Sequence, residues 1–135
     1  MGNRTVLPEG WRRPKGYSNA VVAQGRQIYV AGQVGWDSEE RFNSDDLAEQ
    51  ATQALRNVVA VLEAAGAGPE HIVRMTWYVT DKAAYIAGLK EIGEAYREII
   101  GRNFPAMTAV EVTALVEDRA KVEIECTAVV DDDSV

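Results

Sequence analysis

Two glutamates near the end of the chain have the residue type and the spacing for acid–base chemistry. Glu123 and Glu125 alternate with the apolar Val122 and Ile124, and this period of two predicts a β-strand with one apolar and one polar face. The two carboxylates then point to the same side of the strand, about 6.6 Å apart. Like charges that close could raise one pKa, which would suit a general base, although two glutamates on a solvated strand face fit the same pattern.

The counts of histidine and cysteine limit the other kinds of chemistry. His71 is the only histidine and Cys126 is the only cysteine in the chain. These counts exclude the usual zinc sites and a CxxC redox pair, which need more of these residues. They also make a Ser-His-Asp or Cys-His arrangement improbable. A Mg²⁺ or Mn²⁺ ion bound by carboxylates is not excluded by such a count.

The composition indicates one acidic globular domain. The chain has 135 residues, of which 47% are apolar, and this is enough for one core. We therefore expect a single domain over 1–135, with 1–15 as an N-terminal lead-in and 131–135 as an acidic tail. The net charge of -7 repels a phosphate backbone, and the short basic stretch "GWRRPKG" is too small to reverse this, so we expect no nucleic-acid partner.

The sequence also predicts no membrane association. No apolar run approaches the roughly 18 residues that span a bilayer, and the first residues do not follow the pattern of a signal peptide. We expect a cytoplasmic protein.

Hydrophobic periodicity predicts the elements of the first half of the chain. Two strands, 17–24 and 27–34, flank a glycine turn and are expected to form a hairpin. Apolar residues then recur every three or four positions and predict a helix that Ser44 or Asp45 begins and Gly66 ends. Its apolar stripe consists of Leu47, Ala51, Leu55, Val58 and Leu62.

The second half is predicted to contain a strand, a helix and two further strands. In the strand 71–80, apolar Met75, Trp77 and Val79 alternate with polar residues. A second helix follows, with Gly101 as its end and an apolar stripe of Ile86, Leu89, Ile92, Tyr96 and Ile100. The whole order predicts an α+β domain in which one mixed sheet carries two helices on one face.

Five stretches, in this order, carry a resemblance to a known family. They are "GYSNAV" (16–21), "VAGQV" (30–34), "AAGAGPEHIVRMTWYVTD" (64–81), "NFPAMTAVEV" (103–112) and "KVEIECTAVV" (121–130). Together they resemble the RidA family of reactive-intermediate deaminases, also called the YjgF family, over about 17–130. The likeness implies a single RidA-like domain.

The resemblance implies an assembly and an activity. The fold would be chorismate-mutase-like and assembled as a homotrimer, with a small-molecule substrate or ligand bound in the clefts between subunits. Active members hydrolyse enamines and imines to a keto acid and ammonia. Neither a metal nor an organic cofactor is implied.

The resemblance also assigns roles to residues of this chain. Glu123 matches the family's catalytic carboxylate, which activates water as a general base, and Glu125 is the alternative. Tyr17 would line the cleft, although the preceding proline of the family is absent and Asn19 replaces a glutamine. Gly32 would bring a backbone N–H close to the substrate, because it has no Cβ.

Met107 is the position at which the chain departs most from the family. Active members have an arginine directly after "F-P-A" that pairs with the substrate carboxylate, and methionine offers no charge. This loss predicts a cost on the order of a hundredfold for a small imino acid. One interpretation is a hydrolase for a larger, less anionic or uncharged substrate that packs on Met107, Trp36 or Phe104. The other is a non-catalytic trimer that binds a small metabolite or has a regulatory role.

Three arginines are candidates to replace the missing one. They are Arg74, Arg97 and Arg102, which sequence alone places on a strand, a helix and a loop. Surface arginines of this kind are usually solvated.

Overall fold

The computed structural model describes residues 2–131, in which six strands and three helices follow one another along the chain. The strands are β1 (Arg4–Val6), β2 (Ala20–Val22), β3 (Arg26–Val34), β4 (Ile72–Val79), β5 (Ala106–Glu111) and β6 (Val122–Val130). The helices are α1 (Leu47–Ala64), α2 (Lys82–Ala87) and α3 (Leu89–Ile99), and a 3-10 turn at Pro69–His71 precedes β4. Of the predicted acidic tail, 132–135 lie outside the described residues.

The main sheet has four strands in the order β3-β6-β4-β5. β4 and β5 are parallel and the other pairs are antiparallel, so the sheet is mixed, as predicted. The short strands β1 and β2 form a separate antiparallel pair, and the lead-in 1–15 therefore contributes a strand.

The predicted hairpin of 17–24 with 27–34 is wrong, because β2 pairs with β1 and β3 pairs with β6. Gly25, which suggested the hairpin turn, serves a different contact. Its φ is 143°, and a Cβ there would overlap the backbone carbonyl of Val130 at the end of β6. Glycine is therefore needed where β3 begins beside β6, since any side chain would push the two strands apart.

The stripe predicted for α1 is confirmed, because each of its five residues is buried against the sheet. The start of α1 differs by one residue from the prediction. The carboxylate of Asp46, and not the side chain of Ser44 or Asp45, accepts a hydrogen bond from the N–H of Glu49 at 3.0 Å. That bond satisfies one of the free donors of the first helical turn.

The predicted second helix is two helices, α2 and α3, so three helices cover the sheet and not two. The break lies at Gly88, where a Cβ would come within 3.3 Å of the Ala48 side chain on α1. Ile86 and Leu89 beside the break are 53% and 46% exposed, contrary to the predicted stripe. The rest of that stripe, Ile92, Tyr96 and Ile100, is buried as predicted.

The alternation predicted for the last strand is confirmed. Val122, Ile124, Cys126 and Ala128 are buried on the helix-covered face. The intervening Glu123, Glu125 and Thr127 are partly exposed on the opposite face, which is open. None of the helices within residues 2–131 is long and apolar enough to span a bilayer.

Candidate functional site

A cavity of about 500 Å³ lies where β5, α3 and the segment before β2 meet. Three of the residues predicted from the sequence, Tyr17, Phe104 and Met107, line it together. The remaining lining residues are Lys15, Gly16, Trp77, Tyr85, Leu89, Ile92, Gly93, Tyr96, Arg97 and Ala109. The cavity is therefore mostly aromatic and aliphatic, with one lysine and one arginine.

The parallel pairing of β5 with β4 directs Met107 into this cavity. Met107 lies opposite the fully buried Met75, and Ala109 lies opposite Trp77. Since residues paired across two strands point to the same face, Met107 and Ala109 belong to the helix-covered face.

Hydrogen bonds fix Tyr17 beside Phe104. The neighbouring Ser18 donates its side-chain hydroxyl to the carbonyl of Phe104 at 2.5 Å and its N–H to the carbonyl of Pro105 at 3.0 Å. The ring of Phe104 stacks on Tyr96, with 5.8 Å between the ring centroids. The residues that precede β5, Phe104 and Pro105, are therefore held between the N-terminal segment and α3.

Trp77 contributes a polar group without a partner. The side chain is 2% exposed, and its Nε1 has no hydrogen-bond acceptor among residues 2–131. The nearest aromatic ring, that of Tyr85, lies 6.2 Å away between centroids. A buried N–H of this kind is rare, because leaving it unpaired costs free energy.

Two tyrosines of the cavity wall, Tyr85 and Tyr96, are neutral at neutral pH. Burial raises the pKa of the hydroxyls of Tyr85 and Tyr96 above the ordinary value. The Tyr96 hydroxyl also donates a hydrogen bond to the carbonyl of Asn103 at 2.6 Å. Formal positive charge in the cavity lining therefore comes from Lys15 and Arg97.

The other two predicted residues, Gly32 and Glu123, lie on the opposite face of the sheet. Neither Gly32 nor Glu123 lines the cavity. Glu123 is paired across the strands with Tyr78. The side chain of Glu123 lies over Gly32, where an added Cβ would overlap its carboxylate. The close contact that glycine allows at position 32 is therefore with the side chain of Glu123. The approach of the Gly32 N–H to a substrate stays a prediction.

The two glutamates of β6 differ in their partners. The hydroxyl of Tyr78 donates a hydrogen bond to Oε1 of Glu125 at 2.7 Å, and this bond raises the pKa of the Tyr78 hydroxyl. The side-chain carboxylate of Glu123 has no hydrogen-bond or ion-pair partner among residues 2–131. The carboxylate of Glu123 therefore keeps all of its acceptor capacity, whereas part of that of Glu125 is used by Tyr78.

One chain consequently presents two groups of predicted residues on two faces. Tyr17, Phe104 and Met107 are brought together, and Gly32 and Glu123 are brought together, but the groups are separated by the sheet. The sequence did not indicate this separation, because the faces of β5 and β6 are related only through their register with β4.

Other residues singled out in the sequence lie elsewhere. Trp36 packs against Phe42, at 5.7 Å between ring centroids, and is not part of the cavity wall. Of the candidate arginines, Arg102 lines a neighbouring cavity of about 470 Å³ with Tyr17, and Arg74 lines one of about 200 Å³ with Glu125. Only Arg97 of these three shares the cavity of Met107.

The basic stretch "GWRRPKG" reaches the edges of both larger cavities. Lys15 and Gly16 line the first, and Arg13, Pro14 and Gly16 line the second. The sequence predicted a solvated lead-in here and left open whether the segment closes over the cleft. The contacts of this stretch with the cavities depend on tertiary packing, for which the stretch itself carries no local sequence signal.

Cys126 and the potential metal ligands among residues 2–131 do not form a further site. Burial raises the pKa of the Cys126 thiol to about 12, so its thiolate is not available as a nucleophile at neutral pH. Within residues 2–131, no group of three or more histidine, cysteine or acidic side chains is placed to hold a metal ion.

Comparison with known proteins agrees with the resemblance seen in the sequence. Residues 12–130 match the model of the family described as endoribonuclease L-PSP. The 2-iminobutanoate/2-iminopropanoate deaminase of Homo sapiens is 37% identical over 114 residues, which cover 84% of this chain and 79% of that protein.

Solved structures of similar chains have the same fold. A Rid-family protein of unknown function from Yersinia pestis has a TM-score of 0.85 and 33% identity, covering 96% of this chain and 100% of that one. RidA from the Antarctic bacterium Psychrobacter has a TM-score of 0.68 and 30% identity, covering 84% and 88%.

Proposed function

Because this chain belongs to the RidA/YjgF family, we propose that it is an enamine/imine deaminase whose specificity is altered by Met107. The reaction adds water to the C=N carbon of an imine and releases ammonia, leaving the corresponding carbonyl compound. The observation that supports it most directly is the free carboxylate of Glu123, which lies against Gly32 with no partner among residues 2–131.

Glu123 would act as the general base. A carboxylate with free acceptor capacity takes a proton from the attacking water and returns it to the nitrogen, so that the tetrahedral intermediate collapses to the carbonyl product and ammonia. Glu125 is less suited to this role because it already accepts a hydrogen bond from Tyr78. The backbone of Gly32 would lie beside the reacting atoms.

The complete site would form between subunits of a homotrimer. The cavity with Met107 and the carboxylate of Glu123 belong to opposite faces of one sheet, so one chain cannot present both to one substrate. In a closed symmetric oligomer, the cavity of one subunit would meet Glu123 of the partner subunit. This arrangement would use the open, mixed face of the sheet as the interface.

Met107 would change which substrates are accepted. A charge-assisted hydrogen bond contributes about 1.5–3 kcal/mol, so losing a bidentate arginine costs on the order of a hundredfold for a small imino acid. An apolar side chain in a cavity of aromatic residues instead favours a larger substrate that packs against Met107 and Phe104. Glu123 acts on water, and its contribution does not require the lost charge.

The deciding experiment is ammonia release from imines generated in situ. The panel would compare small imino acids such as 2-iminopropanoate with bulkier imines and with imines that lack a carboxylate. Turnover should be fastest with a bulky imine and should be lost in Glu123→Gln, while light scattering shows the same oligomer for both proteins. Turnover that persists unchanged in Glu123→Gln would contradict the proposal.

Mixing variants tests whether the site is shared. Glu123→Gln damages only the carboxylate half of the site, and Met107→Asp damages only the cavity half. In a hybrid oligomer, one interface pairs the intact cavity of one variant with the intact carboxylate of the other. If the site lies between subunits, an equal mixture refolded together should therefore recover about a quarter of the unmodified protein's activity. A site contained within one chain would give no recovery.

The second candidate function is a non-catalytic trimer that binds a small metabolite or regulates another process. It is favoured by the absence of a positive charge at position 107 and by the buried, unpaired Trp77 N–H at the cavity. A thermal-shift screen of carboxylates and neutral carbonyl compounds separates the two functions. Binding without Glu123-dependent turnover of any imine would favour the second.

A further inference from the structure

An exposed arginine and a glycine of the same helix lie together in the lining of the cavity. Gly93 and Arg97 lie one turn apart on α3, and both line the cavity. A Cβ at Gly93 would have only one atom within 4 Å outside its own helix backbone, which is Nη1 of Arg97 at 3.7 Å. The Arg97 side chain therefore runs back along the helix and places its guanidinium beside the space that Gly93 leaves open.

The two positive charges at the cavity have no side-chain partner in the part of the chain that the structure describes. Within residues 2–131, neither Arg97 nor Lys15 forms an ion pair or a hydrogen bond through its side chain. By contrast, Arg41 and Arg119 pair with carboxylates, and the chain as a whole has a net charge of -7. Two unpaired cations beside an apolar cavity in an acidic protein are suited to an anionic ligand.

The rest of the cavity indicates what else the ligand must carry. Its walls are formed by aromatic rings and by Met107, and its volume of about 500 Å³ falls within the range of roughly 300–1,000 Å³ that holds drug-sized ligands. A small imino acid would leave most of this apolar surface uncovered. The buried N–H of Trp77 also lacks an acceptor.

We infer that this cavity binds a carboxylate with a bulky apolar group, such as an aromatic 2-imino or 2-keto acid, whose carboxylate is held by Arg97 with Lys15. The apolar group packs on Phe104, Tyr96 and Met107. Arg97 thus supplies from α3 the charge that Met107 does not supply from β5. This inference rests on the proposed function and specifies its substrate class.

Calorimetric binding to the full chain tests the inference with unreactive probes. 3-Phenylpropanoate has both required parts, 3-phenylpropanamide lacks the charge, and propanoate lacks the ring. We expect the first to bind at least about tenfold more tightly than either of the others. Equal binding of the acid and the amide, or no binding of either phenyl compound, would overturn the inference.

Variants assign the binding to the named residues. Arg97→Gln should weaken the binding of the acid by about tenfold or more and change the affinity for the amide by less than about twofold, because only the charge is lost. Arg56→Gln is the matched control, since Arg56 is an exposed helical arginine away from the cavity. Gly93→Leu should abolish binding of both phenyl compounds, because the larger side chain fills the cavity. The variant should still fold, since leucine has a higher helix propensity than glycine. An Arg97→Gln variant with undiminished affinity for the acid would refute the assignment.

The two proposals fail in different ways. Glu123-dependent turnover of small or neutral imines, together with no binding of 3-phenylpropanoate, would leave the deaminase standing and reject this substrate class. Binding that depends on Arg97, without Glu123-dependent turnover of any imine, would reject the deaminase and leave the ligand class intact.

Discussion

The side chain of Glu123 occupies the space that a Cβ would fill at Gly32. The two residues belong to neighbouring strands, and the regular pairing of β3 with β6 is interrupted between Val30 and Gln33, at the position of Gly32. Such an irregularity redirects the side chains next to it. Glycine at this point is therefore a requirement for the position of the carboxylate.

Gly32→Ala should lower turnover with little effect on folding. The three atoms nearest to the added methyl group all belong to the side chain of Glu123, which is flexible and can move aside at small cost. A displacement of about 1 Å in a catalytic group costs on the order of a hundredfold, and we expect a loss of that order in kcat/KM for the best imine. The measurement is ammonia release, with the urea midpoint as the check on folding. Unchanged turnover in a well-folded variant would show that this contact does not position the base.

The alternation of buried residues could be read from the sequence wherever one element alone determines it. The stripe of α1 and the two faces of β6 follow from periods that each element carries in itself. Relationships between elements could not be read in the same way. In the sequence, a glycine that forms a turn cannot be distinguished from one that allows a close contact. Gly25 allows a close contact with β6, and Gly88 allows one with Ala48 on α1.

The placement of the site has the same physical limit. The face on which Glu123 lies follows from the alternation of β6, but the face on which Met107 lies depends on the register of β5 with β4. A shift of one residue exchanges the faces, and no local pattern near Met107 specifies that register. Arg97 was one of three candidates, and only the packing of α3 beside β5 brings it to the cavity.

The two glutamates of β6 should differ in their effect on catalysis. Glu125→Gln should retain turnover within about tenfold, because Glu125 is engaged by Tyr78, whereas Glu123→Gln should lose about a hundredfold or more. The same imine assay measures both. Tyr78→Phe is the control, since it frees Glu125 without changing either carboxylate. If Glu125→Gln is the more damaging variant, Glu125 is the base and the assignment of Glu123 is wrong.

Gln50 should be a main determinant of stability. This side chain is 1% exposed and joins three backbone groups around α1. Its Nε2 donates to the carbonyls of Ser44 and Arg119 at 2.9 and 3.0 Å, and its Oε1 accepts from the N–H of Lys121 at 2.7 Å. Gln50→Ala leaves buried backbone groups unpaired, so we expect a loss of about 3 kcal/mol in the free energy of unfolding.

Urea unfolding measures this loss, and a fixed protein concentration keeps any effect of self-association the same for the proteins compared. Gln53→Ala is the matched control on the same helix, where the amide donates only to the side chain of Asn57. It should cost less than about 1 kcal/mol. Equal costs for the two variants would mean that the contacts of Gln50 do not hold the loops at this end of α1.

Met107→Arg should raise activity on small imino acids. The position points into the cavity and is only partly buried, so a longer charged side chain can enter the open space without displacing the core. A guanidinium there can pair with a substrate carboxylate in the bidentate manner that methionine cannot provide. We expect kcat/KM for 2-iminopropanoate to rise on the order of a hundredfold, measured by ammonia release.

Met107→Leu, which changes shape without adding charge, should give no gain. If Met107→Arg gives none either, while Glu123-dependent turnover of bulky imines persists, then Met107 does not set the specificity, and the carboxylate of the substrate is bound elsewhere in the site.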